Sequence, residues 1–323
     1  MPVTPKILAF DTATQACSAA VLNGGKIFER FDVAPQKHSD LILLMIDAVL
    51  KEAGTTLQEL DAIAVGVGPG SFMGVRLAVS IAQSLAFAQG KKIIPVSTLQ
   101  ILAQSAYREL NSLTKKIKNL LVGWDARMHE IYFGIYQLEN NLMKPVQKDQ
   151  MISPENFKLS KEIDSIAGNA WQVYENEFST EVKKFLKEKN SLQAVIYASQ
   201  INLQEIAPID PSILACRRGG KERATGVYTQ YMTVANDEGE AEFHVKHRFT
   251  PLSAKLKESL AGGLAPQEAE AYQHKAERQK TTGIYPQAKD LILIAQEKFE
   301  KQEYVNAENL EPVYLRNDVA KAG

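Results

Sequence analysis

Residues 61–90 read DAIAVGVGPGSFMGVRLAVSIAQSLAFAQG, and this order of strand, glycine turn and long helix decides the fold class. The run from Ala62 to Val67 is apolar and contains Val and Ile, which is typical of a strand covered on both faces of its sheet. Gly68-Pro69-Gly70 predicts a tight turn, and Ser71 is a suitable N-cap for a helix that ends at Gly90. The stretch therefore predicts an α/β protein.

The same turn could bind an anion, because backbone N–H groups at a helix N-terminus can hold a phosphate. The candidate contacts for a nucleotide or anion are Asp11, Thr12, Gly68, Gly70 and Ser71. No Lys follows the glycines, no G-x-G-x-x-G pattern is present, and the first loop, DTAT at 11–14, contains no glycine. We therefore favour a tight structural corner, and we expect this chain to bind no cofactor or metal.

The composition argues against several classes of protein. The chain has 323 residues, 45% of them hydrophobic, which is enough for two domains, and its formal net charge of −1 provides no general attraction to nucleic acid. The two cysteines, Cys17 and Cys216, are too far apart in the sequence to suggest a zinc motif or a disulfide framework. The most apolar run, residues 41–50, contains Asp47 and is too short to cross a bilayer. We expect a cytoplasmic protein that does not enter the membrane.

A pattern of three strands at the start of a unit occurs twice along the chain. Strands are predicted at Lys6 to Ala13 and on both sides of the turn at residues 23–25, and alternating helices and strands follow. The pattern begins again at Asn119, with a second turn at residues 139–141. Two such halves favour the duplicated, ribonuclease-H-like architecture of the actin, sugar kinase and Hsp70 class, with two domains of mixed sheets flanked by helices.

Two helices in the first half are apolar on more than one side. They cover residues 38–53 and 72–89, and such helices are buried on several sides or meet a partner. Since Ala78, Ala82 and Ala86 recur at every fourth position, another helix could approach closely there, and we expect Ala82→Arg to abolish pairing without unfolding the chain. The alternative is that both helices pack only on each other and on the sheet. The predicted interface residues are His38, Leu41, Leu44, Met45, Ala48, Val75, Ala78, Val79, Ala82 and Ala86.

Several motifs together carry a resemblance to a known family. They are ILAFDTATQACSAAVL at 7–22, HSDL from His38, AVGVGPGSFMGVRLA at 64–78, PVSTLQILAQ at 95–104, DARMHEIYFGIY at 125–136 and LEPVYLRNDVAK at 310–321. In this order they resemble the bacterial TsaB family, also called YeaZ. Two positions depart from the family pattern. Met73 stands where the family usually has Thr, and Met128 stands after DAR where the family usually has a basic residue.

The resemblance implies an actin-like, non-catalytic scaffold subunit for making threonylcarbamoyladenosine in tRNA. It implies pairing of helices 38–53 and 72–89 with a TsaD-type subunit that carries the metal and the transfer chemistry, after which a TsaE-type ATPase joins. ATP and metal are then expected on the partner subunits, tRNA is contacted indirectly, and a homodimer forms when the partner is absent. The alternative from a different class is a stand-alone actin-like ATP-binding phosphotransferase or ATPase.

A segment near residues 198–285 interrupts the family pattern, and we interpret it as an insertion that is partly ordered at best. The predicted domains are 1–107, then 108–197 with 286–305, and residues 306–323 are expected to return to the first domain. Within the insertion we predict strands at Val227 to Ala235 and Ala241 to Phe249, and a short helix at residues 251–263. His244 and His247 form an H-x-x-H pattern without the Glu of a metalloprotease, so we interpret them as a structural or solvated pair.

Overall fold

The computed structural model describes residues 4–114, 117–159, 163–189, 227–235, 241–249 and 284–316. The chain divides into two compact units. The first comprises Met1–Gln193 together with Gly283–Gly323, and the second comprises Ala194–Thr282. Each unit is described separately below.

The first sheet of the first unit has five strands in the order β3-β2-β1-β4-β5. Strands β1, β2 and β3 are antiparallel neighbours, whereas β4 pairs in parallel with β1, and β5 in parallel with β4. This arrangement follows from the sequence, because the hairpin at Asn23-Gly24-Gly25 joins β2 to β3 and helices connect the parallel strands. The strands are β1 Ile7–Asp11, β2 Ala16–Asn23, β3 Lys26–Val33, β4 Ala62–Gly66 and β5 Lys92–Val96.

Helices cover both faces of the first sheet. Helices α1, His38–Ala53, and α2, Phe72–Gln89, pack on one face. Gly54 and Gly90 follow them in the left-handed conformation, and the end of α2 at Gly90 agrees with the prediction. Helix α3, Thr98–Thr114, packs against strands of the second sheet. The hydroxyl of Ser97 caps α3 by accepting from the N–H of Leu99 at 3.1 Å.

The helix Ala288–Glu300, called α6 here, belongs to the first sheet, so the predicted domain division was wrong at this point. Residues 286–305 were assigned to the second domain, but α6 packs on the free face of the first sheet. Leu291, Ile292 and Ala295 are fully buried there with alternate residues of β1 and β4. The first sheet needed a cover on this face, and α6 supplies it because its buried stripe is apolar.

The second sheet repeats the first in reduced form. Its order is β10-β6-β7-β8, with β9 on β7, and β10 pairs in parallel with β6 while the other pairs are antiparallel. This matches the order β4-β1-β2-β3, so the predicted duplication and actin-like fold class are confirmed. The elements are β6 Asn119–Arg127, β7 Glu130–Glu139, β8 Leu142–Pro145, β9 Gln150–Ile152, β10 Ser165–Ala167, α4 Ala170–Val173 and α5 at residues 180–189.

Ser153-Pro154-Glu155 is a pattern typical of a helix start, but the structure has only a short 3-10 turn there. It covers Pro154–Asn156, and Phe157 then turns into an aromatic core with Trp171 and Phe178. Proline suited the first helical position, but no apolar stripe at helical spacing follows it, so the turn does not continue.

The second unit contains an antiparallel strand pair. Strands β11, Val227–Ala235, and β12, Ala241–Phe249, pair from Val227 opposite Phe249 to Ala235 opposite Ala241. Both strands were predicted, and the pairing confirms them. The helix predicted at 251–263 lies outside the described residues, and the proposal that the segment is an insertion stays a prediction.

Candidate functional site

The loop after β1 packs directly on the glycine turn before α2. The N–H of Ser71 donates to the carbonyl of Ala13 at 2.7 Å, and the hydroxyl of Thr12 donates to the carbonyl of Gly74 at 2.6 Å. A Cβ at Gly70 would overlap Ala13, and one at Gly74 would overlap the carbonyl of Thr12. The absence of a side chain at Gly70 and Gly74 therefore allows the backbone of the loop after β1 to pack directly against the N-terminus of α2.

Asp11 lies fully buried in the same corner. Its carboxylate accepts from the N–H of Ala13 at 3.0 Å and from the hydroxyl of Thr98 at 3.2 Å. Burial raises the pKa of Asp11 to about 6, although both hydrogen bonds act to lower it. The Thr98 hydroxyl also accepts from the N–H of Gly68 at 3.2 Å. Of the proposed anion contacts, Asp11, Thr12, Gly68 and Ser71 are thus hydrogen-bonded to other groups of the chain, which supports the structural interpretation of the turn.

The predicted interface residues divide into an outer and an inner set. His38, Leu41, Leu44, Met45 and Ala48 on α1 are exposed or half-buried. The α2 residues need a correction, because all five are buried against the sheet of their own chain and cannot present a partner surface. These buried residues are Val75, Ala78, Val79, Ala82 and Ala86.

The exposed apolar side chains of these helices lie on their outer faces. On α2 the outer stripe runs from Met73 through half-buried Leu77 to Phe87, opposite the alanine stripe. Sequence analysis missed it because an apolar helix gives no clear direction, although the stripe follows helical spacing. The exposed fractions are Leu43 54%, Leu44 66%, Phe72 50%, Met73 72% and Phe87 81%. We call these five residues the outer apolar face.

Helix α2 is long and apolar enough to cross a membrane by length and composition alone. Its inner stripe lies in the core of the first sheet, where Ala78 and Ala82 are fully buried. A core helix of this kind passes the same test, so the apolar character of α2 is explained in part by packing and in part by the outer apolar face.

A cleft of about 1060 Å³ adjoins this face at the N-terminal ends of α1 and α2. Its opposite wall is the tip of the β6–β7 hairpin, where Arg127, Met128 and His129 all have positive φ. Asp125 stabilises the tip by accepting from the N–H of Arg127 at 2.8 Å and from the hydroxyl of Tyr174 at 2.7 Å. Burial and the hydrogen bond to Asp125 raise the pKa of Tyr174 to about 12.

Residues 310–316, called the C-terminal strap here, run along the cleft and join its two walls. On the first sheet, the N–H of Val313 donates to the carbonyl of Val67 at 2.8 Å, and Gln83 on α2 donates to the carbonyl of Leu310 at 2.9 Å. At the hairpin, Arg316 donates to the carboxylate of Glu130. The strap thus connects the outer end of α2 with the second sheet. The sequence predicted this segment as a family motif and as part of a C-terminal stretch, residues 306–323, that returns to the first domain.

In the part of the chain that the structure describes, no group of three or more His, Cys, Asp or Glu side chains could hold a metal ion. His38 contacts the carbonyl of Ala16 at 3.2 Å, and His129 contacts the carboxylate of Glu177 at 3.1 Å. These two histidines therefore have structural partners.

Comparisons with known proteins agree with the fold. A sequence model of the family described as "TsaD: tRNA N6-adenosine threonylcarbamoyltransferase" matches residues 32–323. The chain is similar to tRNA threonylcarbamoyladenosine biosynthesis protein TsaB of Escherichia coli (strain K12), with 39% identity over 175 residues, 52% of this chain and 73% of that protein. The protein of the same name from Haemophilus influenzae is 36% identical over 178 residues, again 52% and 73%.

Two solved structures from Pseudomonas aeruginosa are also similar. One is described as a protein with similarity to peptidase YEAZ, with 26% identity and a TM-score of 0.60, covering 97% of this chain and all of that one (100%). The other is YeaZ, with 26% identity and a TM-score of 0.59, covering 96% and 100%. Fold, motifs and relatives agree, and the chain belongs to the TsaB (YeaZ) family, within the wider family that the TsaD sequence model describes.

Proposed function

We propose that this chain is a non-catalytic subunit in the biosynthesis of threonylcarbamoyladenosine in tRNA, and that it pairs with and activates a TsaD-type subunit. The observation that carries the proposal is the outer apolar face on α1 and α2. The names of the curated relatives supply the pathway, and the structure supplies the surface.

The outer apolar face is too apolar for a surface that remains in water. Phe87 and Met73 are more than two thirds exposed, and Leu44 is close to that value. Monomeric soluble proteins rarely expose several large apolar side chains side by side, and aromatic residues and Met are enriched where proteins bind each other. A partner subunit that covers this face, or a second copy of this chain when the partner is absent, would remove that surface from water.

A non-catalytic role is consistent with the closed corner at Asp11. An actin-like phosphotransferase would use this corner to hold phosphate, but here Thr12 and Ala13 occupy the space in front of α2. We therefore place ATP, metal and the transfer chemistry on the partner subunits. In this proposal a TsaE-type ATPase joins the pair in the cytoplasm, and tRNA reaches this chain only through the complex.

The proposal is tested by titrating the chain with the TsaD-type subunit of the same organism. Leu44→Asp and Met73→Asp should each weaken binding by at least about 30-fold, because a carboxylate would lose its water at the interface. Val173→Asp is the matched control, since Val173 is also about half exposed but lies on α4, away from both helices. It should bind like the unchanged chain.

Two outcomes would contradict this proposal. One is that the unchanged chain fails to bind the TsaD-type subunit, and the other is that it turns over Mg-ATP alone, as the phosphotransferase or ATPase alternative requires. Ala82→Arg is no longer a test of the interface. Since Ala82 is fully buried, that change should unfold the chain, and loss of pairing would follow from unfolding.

A further inference from the structure

We propose that Arg76, which stacks on Phe72 and donates to the hydroxyl of Tyr314, forms a subsite that receives a carboxylate from the protein partner, supplied by an Asp or Glu side chain. This inference rests on the proposed function, and it assigns a specific chemistry to the edge of the interface that meets the cleft.

The Arg76 guanidinium is oriented by stacking on the Phe72 ring and by a hydrogen bond to Tyr314. Its central carbon lies 3.7 Å from the centre of the Phe72 ring and 5.7 Å from that of Tyr314. Its Nε also donates to the Tyr314 hydroxyl at 2.7 Å. Stacking and this hydrogen bond set the plane of the guanidinium and leave its two terminal nitrogens directed away from Nε. A carboxylate can accept from both terminal nitrogens at once.

The C-terminal strap holds Tyr314 in place on both sides. The preceding residue, Val313, donates its N–H to Val67 on the first sheet, and Arg316 binds the β6–β7 hairpin through Glu130 and the carbonyl of Ala126. Contacts within the chain therefore hold Tyr314 beside Arg76, and no partner is needed to position it. Binding to such a rigid group costs little conformational entropy.

Arg76 differs from the other arginines of the cleft in having no carboxylate partner. Arg127 pairs with Asp125 at 3.0 Å, and Arg316 pairs with Glu130. Among the residues that the structure describes, no carboxylate forms an ion pair with Arg76, and its side chain remains exposed. Within the described part of the cleft, Arg76 is thus an oriented positive charge without a carboxylate partner.

The surroundings of Arg76 favour a protein carboxylate over an RNA phosphate. The exposed neighbours Phe72, Met73 and Tyr314 are apolar or aromatic and continue the outer apolar face. Binding to an RNA backbone needs several unpaired cations, whereas the cleft offers one unpaired arginine and the whole chain has a net charge of −1. Arginine and tyrosine are among the residue types enriched in protein-binding hot spots.

The test is titration calorimetry of the full-length chain with the TsaD-type subunit at low and high salt. Arg76→Met should weaken binding about 10- to 30-fold at low salt and make the affinity less dependent on salt. Arg76→Lys keeps the charge but loses the planar stack, so its affinity should lie between those of the unchanged chain and Arg76→Met. Arg30→Met is the matched control, since Arg30 lies on β3 and already pairs with Glu52. Thermal unfolding checks that each variant is folded.

A charge swap then identifies the carboxylate. Arg76→Glu is combined with single Asp→Lys or Glu→Lys changes on the TsaD-type subunit, and one combination should restore binding. Equal affinity and salt dependence for the unchanged chain and Arg76→Met would overturn the subsite, and so would a loss confined to tRNA retention.

The two proposals fail in different ways. If Leu44→Asp abolishes binding but Arg76→Met does not weaken it, the interface stands and the subsite is overturned. If the unchanged chain does not bind the TsaD-type subunit, both proposals are overturned.

Discussion

Two equivalent corners of the duplicated fold have opposite characters. The first lies at the end of β1, where Asp11 accepts from the N–H of Ala13, and the second lies at the end of β6, where Asp125 accepts from the N–H of Arg127. Each aspartate thus fixes the loop by the same bond to the residue two positions further on. The local backbone chemistry is shared, and what surrounds it is not.

The first corner is closed and the second is open to the cleft. Asp11 is buried with the hydroxyl of Thr98, whereas Asp125 pairs with Arg127, whose side chain is mostly exposed. In the first half the corner packs against the N-terminus of α2 and fixes the position of that helix. In the second half it supports a charged hairpin tip. The difference teaches that duplication preserved the geometry of the strand end while each copy acquired a separate use.

The largest expected effect is at the closed corner. Gly74→Ala should destabilise the chain by about 3 kcal/mol or more, because the new methyl group would overlap the backbone carbonyl of Thr12. Urea unfolding measures the change. Ser80→Ala, on the exposed side of the same helix, is the control and should shift stability by less than about 0.5 kcal/mol. Equal stability of Gly74→Ala and the unchanged chain would show that the corner is not closed.

The second prediction concerns the pH dependence of the same corner. Because burial raises the pKa of Asp11 from 3.8 to about 6, the folded state favours the protonated carboxyl. Its stabilisation is complete below the unfolded pKa and is lost as pH rises through about 6. Relative to the Asp11→Asn variant, the free energy of unfolding of the unchanged chain should fall by about 2 kcal/mol between about pH 4.5 and about pH 7.5. Denaturant unfolding across this range measures it, and parallel stability curves would contradict a raised pKa.

The smallest effect is expected at the open corner, and it has the opposite sign. His129 has φ of 56° in the hairpin turn, where glycine is favoured, so His129→Gly should stabilise the chain by about 1 kcal/mol. The lost contact with Glu177 is exposed and contributes little. Thermal unfolding measures the gain. Lys158→Gly, at an exposed position without positive φ, should give no gain, and a destabilised His129→Gly would show that the tip is not strained.

Much of the fold could be predicted from local sequence. The turn at Asn23-Gly24-Gly25, the C-terminal glycines of α1 and α2, and the apolar run of β4 each have a direct backbone cause, and the structure confirms all of them. Helix α2 has the predicted bounds, although the hydroxyl of Ser71 forms no capping hydrogen bond, and Gly90 ends the helix in the left-handed conformation. The strands of the second unit were also visible in the sequence as runs that alternate around a polar turn.

The inward side of α2 and the position of α6 could not be predicted in the same way. Alanine at every fourth residue permits close approach by any neighbour, and the neighbour of Ala82 is the chain's own sheet. Which side of α2 faces outward depends on which side packs on the sheet, and the sequence of a helix that is apolar nearly all round does not indicate that side. Helix α6 follows second-domain sequence but packs on the first sheet, because tertiary contacts rather than chain order decide which face it covers.

The position of α6 also determines how this protein can acquire its structure. Strand β1 pairs with β2 close in sequence, but the face of the first sheet that carries Ile7 and Ala64 is covered mainly by α6, near residue 290, with Ile101 of α3 in the same cluster. Contacts that join such distant parts of a chain form slowly. During synthesis, at about 5–20 residues per second, this apolar face waits roughly ten seconds or more for its cover. The first half therefore completes its core late, and this interval is the one in which a chaperone has most to protect.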